Sequence, residues 1–86
     1  MSTPITVTVR YFASIRELLG SSESCTTAAA TLGALRDELI ARGGAHAQAL
    51  ARGKAVRMAH NQILSDESAL LAAGDEVAFF PPVTGG

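Results

Sequence analysis

The sequence predicts an α+β domain with one mixed sheet and helix packed on a single face of it, and three observations carry that prediction. Residues 5–11 alternate strictly, with Ile5, Val7, Val9 and Tyr11 set against Thr6, Thr8 and Arg10, the period of a half-buried strand. From Thr31 the period becomes helical, with Leu32, Leu35, Leu39 and Ile40 on one face. Alternation returns near the end, where Val77 and Phe79 point one way and Ala78 and Phe80 the other.

The elements between follow in order. After the first strand, Ser14 and Glu17 have the spacing of a capping box, Ile15, Leu18 and Leu19 fall at helical spacing, and Gly20 supplies a stop, so a short helix is expected. Ser24 to Ala28 reads as a short second strand. The main helix starts at Thr31, gains an i,i+4 pair from Glu38 and Arg42, and ends at Gly43-Gly44. Residues 46–52 add a helical turn before Gly53. Ala55 to His60 is a further strand, Asn61-Gln62 a turn, Ile63-Leu64 a brief extended piece, and residues 65–73 a short helical or turn segment. Gly74-Asp75 then turns the chain into the last strand, Glu76 to Phe80. With Ile5, Val7 and Val9 in the core, parity sends Thr6, Thr8, Arg10 and Phe12 toward the uncovered sheet face, and Ala78 and Phe80 with them. Phe12 and Phe80 therefore either stand on that face or plug the ends of a small core.

Composition limits the function. The chain has 86 residues, of which 48% are apolar and 17% charged, which fits one small domain with little room for an internal cleft. Formal net charge is -1, and the seven Lys and Arg are scattered along the sequence, so neither nucleic acid nor an anionic membrane is expected as a partner. The N-terminal residues lack the apolar core of a leader, and no apolar run approaches the roughly 18 residues of a membrane span, so the chain reads as cytoplasmic. One cysteine, Cys25, forms no internal disulfide, and with no Cys/His pairing no metal site is expected. Cys25 is assigned no role, and His46 and His60 lack ligand spacing and read as solvated or edge residues. Asp75-Glu76 reads as turn chemistry and strand start, and Arg10 and Arg16 as rim charges beside Phe12.

The sequence closes on FFPPVTGG, residues 79–86. Residues 1–80 are read as the globular domain and 81–86 as a tail. Pro81 and Pro82 cannot donate ladder hydrogen bonds and have a fixed φ, so they end the strand and carry the chain away extended. Six extended residues from Pro81 through Val83, Thr84 and Gly85 to Gly86 reach at most ~20 Å, and the two glycines make a thread that a narrow channel admits. A terminal carboxylate has a pKa of about 3.3–3.7 and is a poor electrophile near neutrality, so it needs activation before a sulfur or amine nucleophile can be loaded onto it.

The segments GDEVAFFPPVTGG (Gly74 to Gly86), RYFASIRELLG (Arg10 to Gly20) and Asn61-Gln62 closely resemble the small, sulfur-carrying subunits of molybdopterin synthase, a family of ubiquitin-like β-grasp proteins. The resemblance reaches both ends of the chain, whereas residues 21–58 agree in pattern only, and His60 stands where a small apolar residue is expected. It implies a β-grasp fold with a mixed sheet on one main helix and short helices. It also implies a carrier that is not itself an enzyme and binds no cofactor. A ubiquitin-activating-like adenylyltransferase would consume ATP to adenylate Gly86, and a sulfur donor would convert the acyl adenylate to a thiocarboxylate. The sulfur would then pass to cyclic pyranopterin monophosphate in the active site of the large subunit, within a heterotetramer. Phe12, Leu64 and Phe80 would form the hydrophobic contact with that subunit. The alternatives are a carrier for thiamine thiazole synthesis, a ubiquitin-like modifier of other proteins, or an interaction domain whose C-terminus is inert.

Overall fold

Five strands form one mixed sheet in the order β2-β1-β5-β3-β4. The computed structural model describes residues 3–82 of the chain. The elements run β1 (Ile5–Tyr11), α1 (Ala13–Leu19), β2 (Ser22–Thr27), α2 (Leu32–Ala41), α3 (Gly44–Leu50), β3 (Arg57–His60), β4 (Ile63–Ser65) and β5 (Glu76–Phe80). β1 pairs antiparallel with β2 and parallel with β5, and β3 pairs antiparallel with both β5 and β4. The last strand thus lies at the centre of the sheet, gripped on both sides.

The predicted parity holds. Val7, Val9 and Tyr11 of β1 are buried beside Val77 and Phe79 of β5, and the register Val9↔Val77, Tyr11↔Phe79 brings the two aromatic rings into a stack with centroids 6.4 Å apart. Leu32, Leu35 and Leu39 of α2 close over them with Ile15 of α1 and Leu50 of α3, in one continuous core. Thr31 caps α2 by accepting the Ala34 N–H at 3.2 Å. At these coefficients, ~25 cal/mol per Å² of buried apolar surface, each enclosed leucine contributes about 2 kcal/mol.

Three local expectations are corrected. The capping box does not form: Phe12 is the N-cap of α1 and no side chain caps it. The Phe12 N–H is still committed to the Phe79 carbonyl at 3.2 Å, so the chain turns into the helix one residue on, with Ala13 at φ 52°. Glu38 and Arg42 are not ion-paired with each other; Glu38 accepts from the Thr27 hydroxyl at 2.5 Å, and Arg42 reaches Glu23 at 2.7 Å. Tertiary partners on β2 outcompete the exposed i,i+4 geometry. Of the two alternatives for residues 65–73 the turn is found: Ser65 ends β4, Glu67 and Ser68 form a turn, and Leu70 is bridged to Thr31. Finally, the strand read from Ala55 begins at Arg57, because Phe80 opposite it is the last ladder residue before Pro81.

A buried guanidinium joins the helices to the loop before β3. Arg36 is 4% exposed, and its Nε donates to the Leu50 carbonyl at 2.8 Å and its Nη2 to the Ala51 carbonyl at 2.8 Å. Glu67 supplies the counter-charge at 3.2 Å, so the buried cation is both paired and hydrogen-bonded.

Candidate interaction site and tail

The helix-free sheet face is built by register. Arg10↔Ala78, Ala78↔Ala59 and Ala59↔Leu64 form a row across four strands, with Ser22 completing it on β2. Small side chains at Ala59 and Ala78 keep the centre of this row low. Phe80 lies two residues beyond Ala78 on the same face, opposite Arg57. Phe12 follows Tyr11 at the end of β1 and stands level with Phe80, since Tyr11 pairs with Phe79.

Each of these apolar side chains is available. Leu64 is 64% exposed and Phe12 39% exposed, while Phe80 is half-buried. The structure therefore brings Phe80 and Leu64 onto one face and Phe12 to its end, and rejects the reading in which Phe12 plugs the core. The Arg10 guanidinium lies 5.4 Å from the centre of the Phe12 ring and 3.9 Å from the Glu76 carboxylate, so Phe12 is held from one side by a cation–π contact.

Pro81 and Pro82 leave the sheet from the central strand and belong to no element. Pro81 borders a depression of about 120 Å³ with Ile15, Leu18, Lys54 and Val56, smaller than the ~300 Å³ at which ligand pockets begin. Val83, Thr84, Gly85 and Gly86 lie outside the described residues. The exit of the tail is thus anchored by two ladders.

The other singled-out residues have structural partners. His60 Nε2 lies 2.6 Å from Asp75 Oδ2, and Asp75 also accepts from Asn61 at 3.2 Å and from the Ala72 N–H at 2.8 Å, while Asn61 accepts the Glu76 N–H at 2.9 Å. These bonds, that of His60 foremost, hold the Asp75 carboxyl below its usual range and tie the β3–β4 turn to the start of β5. His46 Nε2 lies 2.9 Å from Glu23. Both histidines are half-buried and bonded to carboxylates, rather than solvated. Burial alone would raise the Glu23 carboxyl, but His46, the Tyr11 hydroxyl at 2.6 Å and Arg42 outweigh it and bring it to about 2. Cys25 is buried and its thiol is pushed up, first by desolvation. Among the described residues no three His, Cys, Asp or Glu side chains are grouped as metal ligands. No helix among them is long and apolar enough to cross a membrane.

Residues 9–86 match the ThiS family. The chain belongs to that family. This ThiS-family chain is 46% identical over 83 residues to the molybdopterin synthase sulfur carrier subunit of Escherichia coli, a match covering 93% of this chain and 99% of the relative. Its fold is the ubiquitin-like β-grasp. The small archaeal modifier protein 1 of Haloferax volcanii superposes with a TM-score of 0.71 at 28% identity, covering 92% of this chain and 99% of the other. Subunits 1 and 2 of the molybdopterin-converting factor of Helicobacter pylori have been solved as a complex. There the matched chain has a TM-score of 0.64 and 30% identity, covering 95% of this chain and 100% of its own.

Sequence reading missed one feature of the ThiS-family chain's site, the basic residue Arg57 directly across from Phe80. Alternation in residues 55–60 already put Arg57 opposite in parity to Met58, but only the strand order made it a neighbour of the exit strand.

Proposed function

We propose that this chain is the sulfur carrier of molybdopterin synthesis. The carboxylate of Gly86 is adenylated by a ubiquitin-activating-like adenylyltransferase using ATP, and sulfur displaces the nucleotide to leave a thiocarboxylate. That group donates its sulfur to cyclic pyranopterin monophosphate inside the large synthase subunit. The carrier holds no cofactor, supplies no acid or base, and acts in the cytoplasm as the non-catalytic member of a heterotetramer. Residues 1–80 act as the docking domain and 81–86 as the tail, with Phe12, Leu64 and Phe80 against the large subunit and Pro81, Pro82, Val83, Thr84 and Gly85 spanning its channel.

The observation that carries this reading is that the family match runs through Gly86, and the described chain leaves the sheet from its central strand at Pro81, next to half-buried Phe80 and level with exposed Phe12. An anchored base and a side-chain-poor end suit a group that must be delivered into a narrow site, because binding energy from the domain offsets the entropy of ordering the thread.

Intact-mass measurement after incubation with the activating enzyme, ATP and a sulfur source tests it. The expected result is an oxygen-for-sulfur mass increase that is lost on deleting Gly86. No increase, with full cofactor synthesis after that deletion, would leave an inert interaction domain. The likeness to an archaeal modifier favours a second reading, attachment to lysines; covalent adducts on many cellular proteins would select it.

A further inference from the structure

We propose that Arg10, Arg16, Lys54 and Arg57 form a cationic collar around the tail exit, which recognises a partner protein whose tail-accepting entrance is rimmed with carboxylates. The inference rests on the proposed delivery of the tail into the large subunit.

Among the described residues, the cations sort into two groups. Arg36, Arg42 and Arg52 are committed within the fold: Arg36 to Glu67 at 3.2 Å, Arg42 to Glu23 at 2.7 Å, and Arg52 to Asp37 at 2.9 Å and to Glu67. Arg16, Lys54 and Arg57 form no ion pair among the described residues, and the contact of Arg10 with Glu76 is long, at 3.9 Å. Arg57 and Lys54 border the exit, and Arg10 and Arg16 lie in β1 and α1, on either side of Phe12 in sequence. Arg57 is the cross-strand partner of Phe80, and Lys54 shares with Pro81 the depression beside α1. Arg16 lies in the last turn of α1 with its backbone N–H on the Phe12 carbonyl at 3.2 Å, and the Arg10 guanidinium lies 5.4 Å from the centre of the Phe12 ring. Two cations lie on the helix-free face and two on the helical side.

Residues distant in sequence are thus gathered around an apolar centre of Phe12 and Phe80. An apolar centre with a charged rim is the anatomy of a protein–protein interface, where rim charges set the encounter rate and orientation. A net charge of -1 and only four collar cations are poor provision for a phosphate polymer, whose binding rests on many neutralised phosphates. Among the described residues Arg16, Lys54 and Arg57 also hold no ion pair, so reversing them removes little from the fold.

The test is stopped-flow association with the large synthase subunit of the same organism at low and physiological salt. Reversing Arg16, Lys54 and Arg57 together to Glu is expected to slow association about 10–100-fold at low salt and to flatten its salt dependence. Melting temperature should stay near that of the unaltered protein. Thr26→Glu, Ala28→Glu and Ala30→Glu together, exposed positions at and just past the far end of β2, lower net charge by three, as the Arg16→Gln, Lys54→Gln, Arg57→Gln set does, and should change the rate less than about twofold. The milder Arg16→Gln, Lys54→Gln, Arg57→Gln set should fall between, and serves if the reversal misfolds. Equal rates for collar and control variants would overturn the collar while leaving sulfur delivery intact. Loss of oligonucleotide or anionic-vesicle binding, with unchanged association to the subunit, would also overturn it. Failure of the unaltered chain to bind the large subunit would instead remove the functional reading, and the collar with it.

Discussion

The Phe12 N–H donates to the Phe79 carbonyl at 3.2 Å, so β1 and β5 stay zipped to the last residue before each departs, one into α1 and the other into Pro81. This bond sets Phe12 and Phe80 level with each other at the end of the open face. Phe80→Asp is expected to weaken binding to the large subunit about 10–100-fold, because a carboxylate would have to be desolvated where an aromatic ring now sits. Titration calorimetry on a variant with an unaltered circular dichroism spectrum measures it; unchanged affinity would remove Phe80 from the interface.

Glu23 makes the far edge of the sheet acid-sensitive. Its folded carboxyl is lowered to about 2 from an ordinary 4.5. A depressed acid stabilises the fold fully above its unfolded value and loses that contribution as pH falls from about 5 towards 2. With the side chain 27% exposed, the contribution is on the order of 1–3 kcal/mol. Melting curves of Glu23→Gln should therefore be flatter with acidification than those of the unaltered protein. Parallel curves would show that the cluster of Tyr11, Arg42 and His46 contributes no linkage.

Arg36 should tolerate no replacement. Arg36→Met leaves the Leu50 carbonyl without its donor, the Ala51 carbonyl with only the Lys54 N–H and the Glu67 carboxylate with only Arg52, at about 2–4 kcal/mol by chemical denaturation. Arg36→Lys should recover less than half of it, since a point ammonium cannot reproduce the planar fork. Full rescue by Lys would mean that charge alone matters.

Gly33 and Ala13 should respond against their helix propensities. A Cβ at Gly33 would stand 2.8 Å from Glu67 Oε1, 2.9 Å from Glu67 Cβ and 3.3 Å from its carbonyl. Gly33→Ala is expected to destabilise by about 1–3 kcal/mol, reversing the ~1 kcal/mol by which alanine ordinarily helps a helix. At φ 52° Ala13 pays a left-handed penalty, so Ala13→Gly should be neutral or stabilising by up to ~1 kcal/mol. Thermal melting of the pair decides both; a stabilised Gly33→Ala would contradict the close approach of Glu67.

The sequence by itself determined the period of each long element and therefore which side chains face inward. Val7, Val9 and Tyr11, Leu32, Leu35 and Leu39, and Val77 and Phe79 are buried as their spacing required, because burial of an apolar stripe is a local property of strand and helix geometry. It also marked Pro81-Pro82 as the end of the last strand. The partners of polar side chains were decided only by tertiary structure. Ser14 and Glu17 had the spacing of a cap, and Glu38 and Arg42 that of a pair, yet Phe12 N–H was already bound to β5 and both charged residues found partners on β2. Local polar contacts are worth a few tenths of a kcal/mol when exposed, and strand order redistributes them. The same strand order turned Arg10 and Arg57, far apart in sequence, into cross-strand neighbours of the exit strand, since pairing β5 between β1 and β3 joins segments that no periodicity connects.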